Sequence, residues 1–117
     1  MNNQSILSYL ACPYSHPDSA VRHMRHMTVN RVAFELHKQG KFIYSPLIHN
    51  IPLIQCCDKR SGWDFWGNFD KVMMKKSDKL LVLTMDGWKE SKGVLAEIKL
   101  AEELNLPIEL IDPQAEF

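Results

Sequence analysis

The chain has 117 residues, of which 45% are hydrophobic, and its 14 basic and 14 acidic side chains cancel to zero formal charge. That size fits a single domain, residues 1–117, which buries roughly two-thirds of its unfolded surface without a disulfide or metal staple, and the ordinary composition argues against disorder. The balanced charge removes the usual electrostatic ground for binding nucleic acid or an anionic membrane, no apolar run approaches the ~18 residues of a membrane span, Met1-Asn-Asn-Gln lacks the basic start of a signal peptide, and three cysteines, two of them adjacent at Cys56 and Cys57, point to a reducing cytoplasm.

Residues 6–11 form a short apolar run stopped by Cys12-Pro13, which predicts a buried first strand. Asp18 offers an N-cap, and apolar residues at Val21, Met24, Val29, Val32, Ala33 and Leu36 predict a helix that Gly40 ends. Residues 42–45 read as a second strand cut by Pro46. The stretch 47–62, with Pro52 and a polar Cys-Cys-Asp-Lys-Arg-Ser segment, reads as an irregular functional loop. Residues 63–76 predict a second helix, and 79–84 the clearest strand. Asp86-Gly87 turns the chain, Ser91 caps a third helix running to about Leu104, and 108–111 is a last strand. Strands alternating with helices predict an α/β fold: a flavodoxin-like (Rossmann-like) parallel sheet of four or five strands, helices on both faces. Ligands in such sheets sit beyond the carboxyl ends of the strands, here 11–15, 45–50 and 85–93.

Two carboxylates fall on the wrong faces of their helices. At roughly 100° per residue, Asp70 lies within the stripe of Trp63, Trp66, Phe69 and Met73. Glu97 lies within the stripe of Val94, Ile98, Ala101 and Leu104. A carboxylate on a core-facing stripe is costly unless it is paired, hydrogen-bonded or open to a cleft. Paired carboxylates in one cleft are the equipment of glycosidic-bond chemistry. Ser91 and the free amides around Gly93, at a helix N-terminus, suit an anion such as phosphate or simply cap the helix. His23 and His26, three apart, lack the further ligands of a metal set and read as solvent-facing. His49, at a strand end, suits a ligand contact or a loop hydrogen bond. Cys12 reads as a buried thiol, and Trp63 and Trp66 as core, or one of them as the edge of a base pocket.

These residues carry a resemblance. Tyr9-Leu-Ala-Cys-Pro-Tyr-Ser15, Asp70 with Asp78-Lys-Leu-Leu-Val-Leu, and Ser91-Lys-Gly-Val-Leu-Ala-Glu-Ile-Lys-Leu-Ala101 together resemble the nucleoside 2-deoxyribosyltransferase superfamily. Ser-Pro-Leu-Ile-His49, Trp63-Asp-Phe-Trp66 and Asp86-Gly-Trp-Lys-Glu-Ser resemble a small bacterial and phage branch of it. The resemblance implies that Glu97 attacks the anomeric carbon of a nucleoside or nucleotide. It implies that Asp70 positions the substrate and assists proton transfer to the leaving base, and that Tyr9 steadies Glu97. Water (hydrolase) or a second base (transferase) then resolves the glycosyl-enzyme. Substrate contacts would come from Ala11, Cys12, Tyr14, Ser15, His49, Trp63, Asp86, Ser91 and Gly93, with no metal and no organic cofactor. A serine at position 91 resembles the deoxynucleoside monophosphate N-glycosidases, in which it binds the 5′-phosphate, whereas the transferases tend to carry an aspartate there. The first loop departs from both patterns: Cys12-Pro13 replaces the usual glycine, and the glycosidases' Ser-x-Arg clamp is absent. The expected partner is a small-molecule nucleoside or nucleotide, with no nucleic acid and no membrane. The alternatives are a non-catalytic nucleotide-sensing module and a NAD-cleaving glycohydrolase. The second helix carries a surplus of apolar side chains, with Val72 and Met74 towards its flanks, which predicts a homo-oligomer of at least a dimer through that helix.

Overall fold

The computed structural model describes residues 5–57 and 63–115, with the side chain of Trp63 outside the described part. Its elements run β1 (Leu7–Ala11), α1 (Ser19–Lys38), β2 (Phe42–Tyr44), α2 (Pro46–Cys56), α3 (Trp63–Lys75), β3 (Lys79–Leu83), α4 (Lys92–Glu103) and β4 (Ile108–Ile111). The four strands are all parallel in the order β2-β1-β3-β4. Leu7 pairs with Phe42, Ala11 with Val82, and Leu83 with Ile111. This is the flavodoxin-like sheet expected from the alternation of strands and helices.

Period-two alternation in the two central strands divides the core into two layers. Leu10, Leu81 and Leu83 face Val29, Val32, Ala33 and Leu36 of α1. Tyr9, Ala11, Leu80 and Val82 face Met74 of α3 and Val94 and Ala101 of α4. Each fully buried aliphatic side chain contributes about 1.5–3 kcal/mol of transfer free energy.

The local signals explain the helix ends. Asp18 caps α1, its Oδ1 accepting from the Ala20 amide at 2.8 Å, and Gly40 leaves the helix at φ +86°. Ser91 caps α4 by accepting from the Val94 amide at 3.2 Å. Asn105 after α4 takes the left-handed φ of 58°.

Much of the stretch read as an irregular loop is helical instead. α2 begins with Pro46 at its first turn, where proline's fixed φ is pre-organised for a helix and its missing N–H costs nothing. Pro52 sits inside it, on an exposed position, and removes a single backbone hydrogen bond. Burial of Asn50 and Ile51 holds the turn despite that loss.

The face of α3 is also rotated from the expected one. Gly67, Asp70 and Met74 are its buried positions, while Phe69 is exposed and Trp66 half-buried. Met74, expected at a flank open to a partner chain, is fully buried in this chain's own core. Among the described residues, no helix is long and apolar enough to cross a membrane.

Candidate active site

The chain leaves β1 towards one edge of the sheet and later returns to β3 on its other side. A crevice therefore opens between the carboxyl ends of these neighbouring strands. A cavity of about 450 Å³ lies there. The loop after β1 lines it with Cys12, Tyr14 and Ser15, α2 with Pro46, Leu47, Asn50, Ile51 and Ile54, and α3 with Asp64, Trp66 and Asp70. The turn before α4 and the helix itself add Glu90, Ser91, Lys92, Gly93 and Glu97.

Glu97 lies in the second turn of α4 on the buried face, only 5% exposed. Tyr9, in the middle of β1 and fully buried, donates its hydroxyl to Glu97 Oε2 at 2.5 Å. Strand pleating sends Tyr9 to the same side of the sheet as α4, so the pair joins residues 88 apart in sequence. Asp70, also 5% exposed, projects from α3. Its Oδ1 accepts from Asn50 Nδ2 at 3.3 Å, and Asn50 Oδ1 meets His49 Nδ1 at 2.7 Å. With the Asn50 amide turned towards the carboxylate, its oxygen requires the proton on His49 Nδ1. His49 is itself held by a stacked Phe69 at 5.0 Å between ring centres and by the edge of Trp66.

The two carboxylates have perturbed proton affinities. Burial pushes Glu97 up to about 8; the Tyr9 hydrogen bond works against this and the nearby Asp70 charge adds to it. Burial likewise lifts Asp70 to about 6, while Asn50 and His49 pull it down. Near neutral pH the pair therefore holds about one proton, as coupled carboxylates in one desolvated site do. Burial, with both carboxylates nearby, raises the Tyr9 phenol far above its ordinary value, so it stays a donor. The Tyr44 ring packs tilted against Tyr9, 5.5 Å between ring centres, and feels both carboxylates, and its buried hydroxyl has no hydrogen-bond partner.

The opposite wall is the start of α4. Ser91 Oγ takes the Val94 amide and Ser91 O the Leu95 amide. The first two amides of the helix, on Lys92 and Gly93, are left outside its own bonding. With the Ser91 hydroxyl, these amides suit an anionic group; Lys92 and Glu90, one of each charge, flank them on the lining.

Of the residues singled out in the sequence, Cys12, Tyr14, Ser15, Trp66, Asp70, Ser91, Gly93 and Glu97 come together on this cavity, and Tyr9 reaches it through Glu97. Ala11 is fully buried in the layer beneath. His49 is exposed outside the lining and touches the site through Asn50. Asp86 is exposed and offers its backbone carbonyl to Arg25 rather than its carboxylate to the cavity. Trp63 begins α3, and its side chain is outside the described residues. His23 is exposed and His26 half-buried on α1, and among the described residues no group of three or more metal-ligating side chains is gathered. Asn50, Tyr44 and Arg25 were not legible as site residues. For Asn50 the signal was present: Ser45-Pro46 is a cap followed by proline at the first helical position.

A family described as a domain of unknown function (DUF1937) matches residues 7–112, and the chain belongs to that family. A search of the curated proteins found no match.

Proposed function

We propose that this DUF1937 protein cleaves or transfers the N-glycosidic bond of a (deoxy)nucleoside or its 5′-monophosphate, with Glu97 as the nucleophile. The observation that carries this reading is the meeting of two buried carboxylates, Glu97 and Asp70, from separate helices at one switch-point cavity, one of them bonded to a buried tyrosine. In the reacting form Glu97 is ionised and Asp70 holds the proton. Glu97 attacks the anomeric carbon. The bond from that carbon to the base breaks, its electron pair passes to the base nitrogen, and Asp70 supplies the proton. Water or a second base then attacks the same carbon, Asp70 takes up the proton released, and the Glu97 ester breaks. Two displacements retain the configuration of the sugar. Tyr9 holds Glu97 in line and stabilises its ionised form. The Ser91–Gly93 corner receives the 5′ end, where a serine rather than an aspartate suits a phosphate.

The resemblance to nucleoside 2-deoxyribosyltransferases supports the same reading, as does the arrangement of its three motifs around this cavity. A second copy of the chain covers the outer side of α3, where Phe65 is 47% and Val72 51% exposed.

The test is incubation with nucleosides, their 5′-monophosphates and NAD, with released base detected by chromatography. Base release that Glu97→Gln abolishes supports the reading. Stable nucleotide binding without release would replace it with a sensing module. Release from NAD alone would make the protein a glycohydrolase of that dinucleotide.

A further inference from the structure

Among the described residues, Arg25 is the buried charged side chain that the proposed chemistry does not use. It lies in the second turn of α1, on the face turned to the sheet, and is 7% exposed. No carboxylate pairs with it among the described ion pairs, and its Nε is buried without a partner. Its two terminal nitrogens instead fork across the crevice. Nη1 donates to the Ser15 carbonyl at 3.0 Å, and Nη2 donates to the Asp86 carbonyl at 3.1 Å. One acceptor lies in the loop after β1 and the other in the loop after β3, the two strands that flank the switch point.

The second loop is built around the guanidinium. Gly87 follows Asp86 at φ +93°, and a Cβ placed on it would overlap Arg25 Nη2 and lie 3.4 Å from Cζ. From there the turn is tied by Trp88 N to Met85 O at 3.1 Å and Glu90 N to Gly87 O at 3.2 Å, and it delivers Ser91 to cap α4. On the other side, Tyr14 and Ser15 line the cavity directly. A buried charge satisfied only by neutral carbonyls is costly, and its fork is spent on joining these two walls.

We propose that Arg25 is a positioning residue: it fixes the spacing between the Tyr14–Ser15 wall and the Ser91–Gly93 wall, and through that spacing the affinity for the polar end of the substrate. The naming of that ligand rests on the proposed function; the coupling of the two loops does not.

Two measurements separate these. In the ligand-free protein, Arg25→Met should speed amide exchange at Trp88 and Glu90 at least tenfold, while Leu81 and Val82 in β3 stay protected. Gly87→Ala should do the same by expelling the guanidinium. Gly40→Ala serves as its control, because Gly40 has a similar φ of +86° with nothing within 4 Å of its added Cβ. Unchanged exchange at Trp88 and Glu90 in Arg25→Met would overturn the proposal, whatever the protein's activity.

With a substrate in hand, Arg25→Met should raise KM at least tenfold and leave kcat within threefold. Arg25→Lys, which reaches one carbonyl at a time, should fall between. A loss confined to kcat, or a lowered Tm with KM unchanged, would also overturn the proposal. If the parent protein releases no base, the functional reading fails and the exchange measurement still decides the role of Arg25.

Discussion

Tyr9→Phe tests the proposed chemistry at a single atom. The substitution removes the hydroxyl that donates to Glu97 at 2.5 Å and keeps the ring that packs at 5.5 Å against Tyr44. A hydrogen bond to a charged group is worth about 1.5–3 kcal/mol, and about 1.4 kcal/mol corresponds to one pKa unit. The bond favours ionised Glu97, so its loss raises the glutamate's pKa further, by about one to two units. In the parent, kcat/KM should follow a bell with limbs near the pair's values of about 6 and about 8. The active arrangement, ionised Glu97 with protonated Asp70, is then a minor form, on the order of one molecule in a hundred. In Tyr9→Phe the alkaline limb should move up by about one to two units and the plateau should fall about ten- to a hundredfold. Stopped assays of base release from pH 5 to 10 read both. An alkaline limb that stays in place or moves down would refute the role given to Tyr9. An unchanged plateau would refute the requirement for ionised Glu97.

Glu97→Gln should lower base release by roughly a thousandfold or more; near-parental turnover would end the mechanism. The same variant has a stability signature: the native state holds the Glu97 proton up to about 8, against 4.5 ordinarily, so parental stability falls as pH rises through that window. Glu97→Gln should therefore lose most of the decline in Tm between pH 5 and 8.5 and melt above the parent at pH 8.5; a lower Tm there would contradict the burial argument. Ser91→Asp keeps a competent N-cap but puts a charge beside the anion corner, so a 5′-monophosphate should lose about tenfold or more in affinity while its nucleoside loses little. Equal losses by titration calorimetry would reduce Ser91 to a helix cap. Light scattering at micromolar concentration should give at least twice the chain mass of 13.6 kDa, and Val72→Glu should lower it; a parental mass at the single-chain value would refute the oligomer.

The sequence by itself determined the architecture. Apolar runs bounded by Pro13, Pro46 and Pro107, and helices bounded by Asp18, Gly40, Ser91 and Asn105, are local signals, and each acts through a neighbouring backbone group or its own φ. The two misplaced carboxylates were legible for a similar reason: helical periodicity puts Asp70 and Glu97 within apolar stripes, and both are buried. Periodicity reported less well on α2 and α3. Pro52 masks a short helix, and the largest apolar residues of α3 mark a stripe that is not its core, because Gly67, Asp70 and Met74 face inward.

What only the tertiary structure decided is which distant residues meet. The strand order puts β1 between β2 and β3, and that arrangement brings Tyr9 to Glu97, Asn50 to Asp70, and the carbonyls of Ser15 and Asp86 to one guanidinium. None of these pairings has a periodic signature. Each is a directional bond between groups separated by 10 to 88 positions, and its geometry exists only once burial of the two core layers has fixed the sheet.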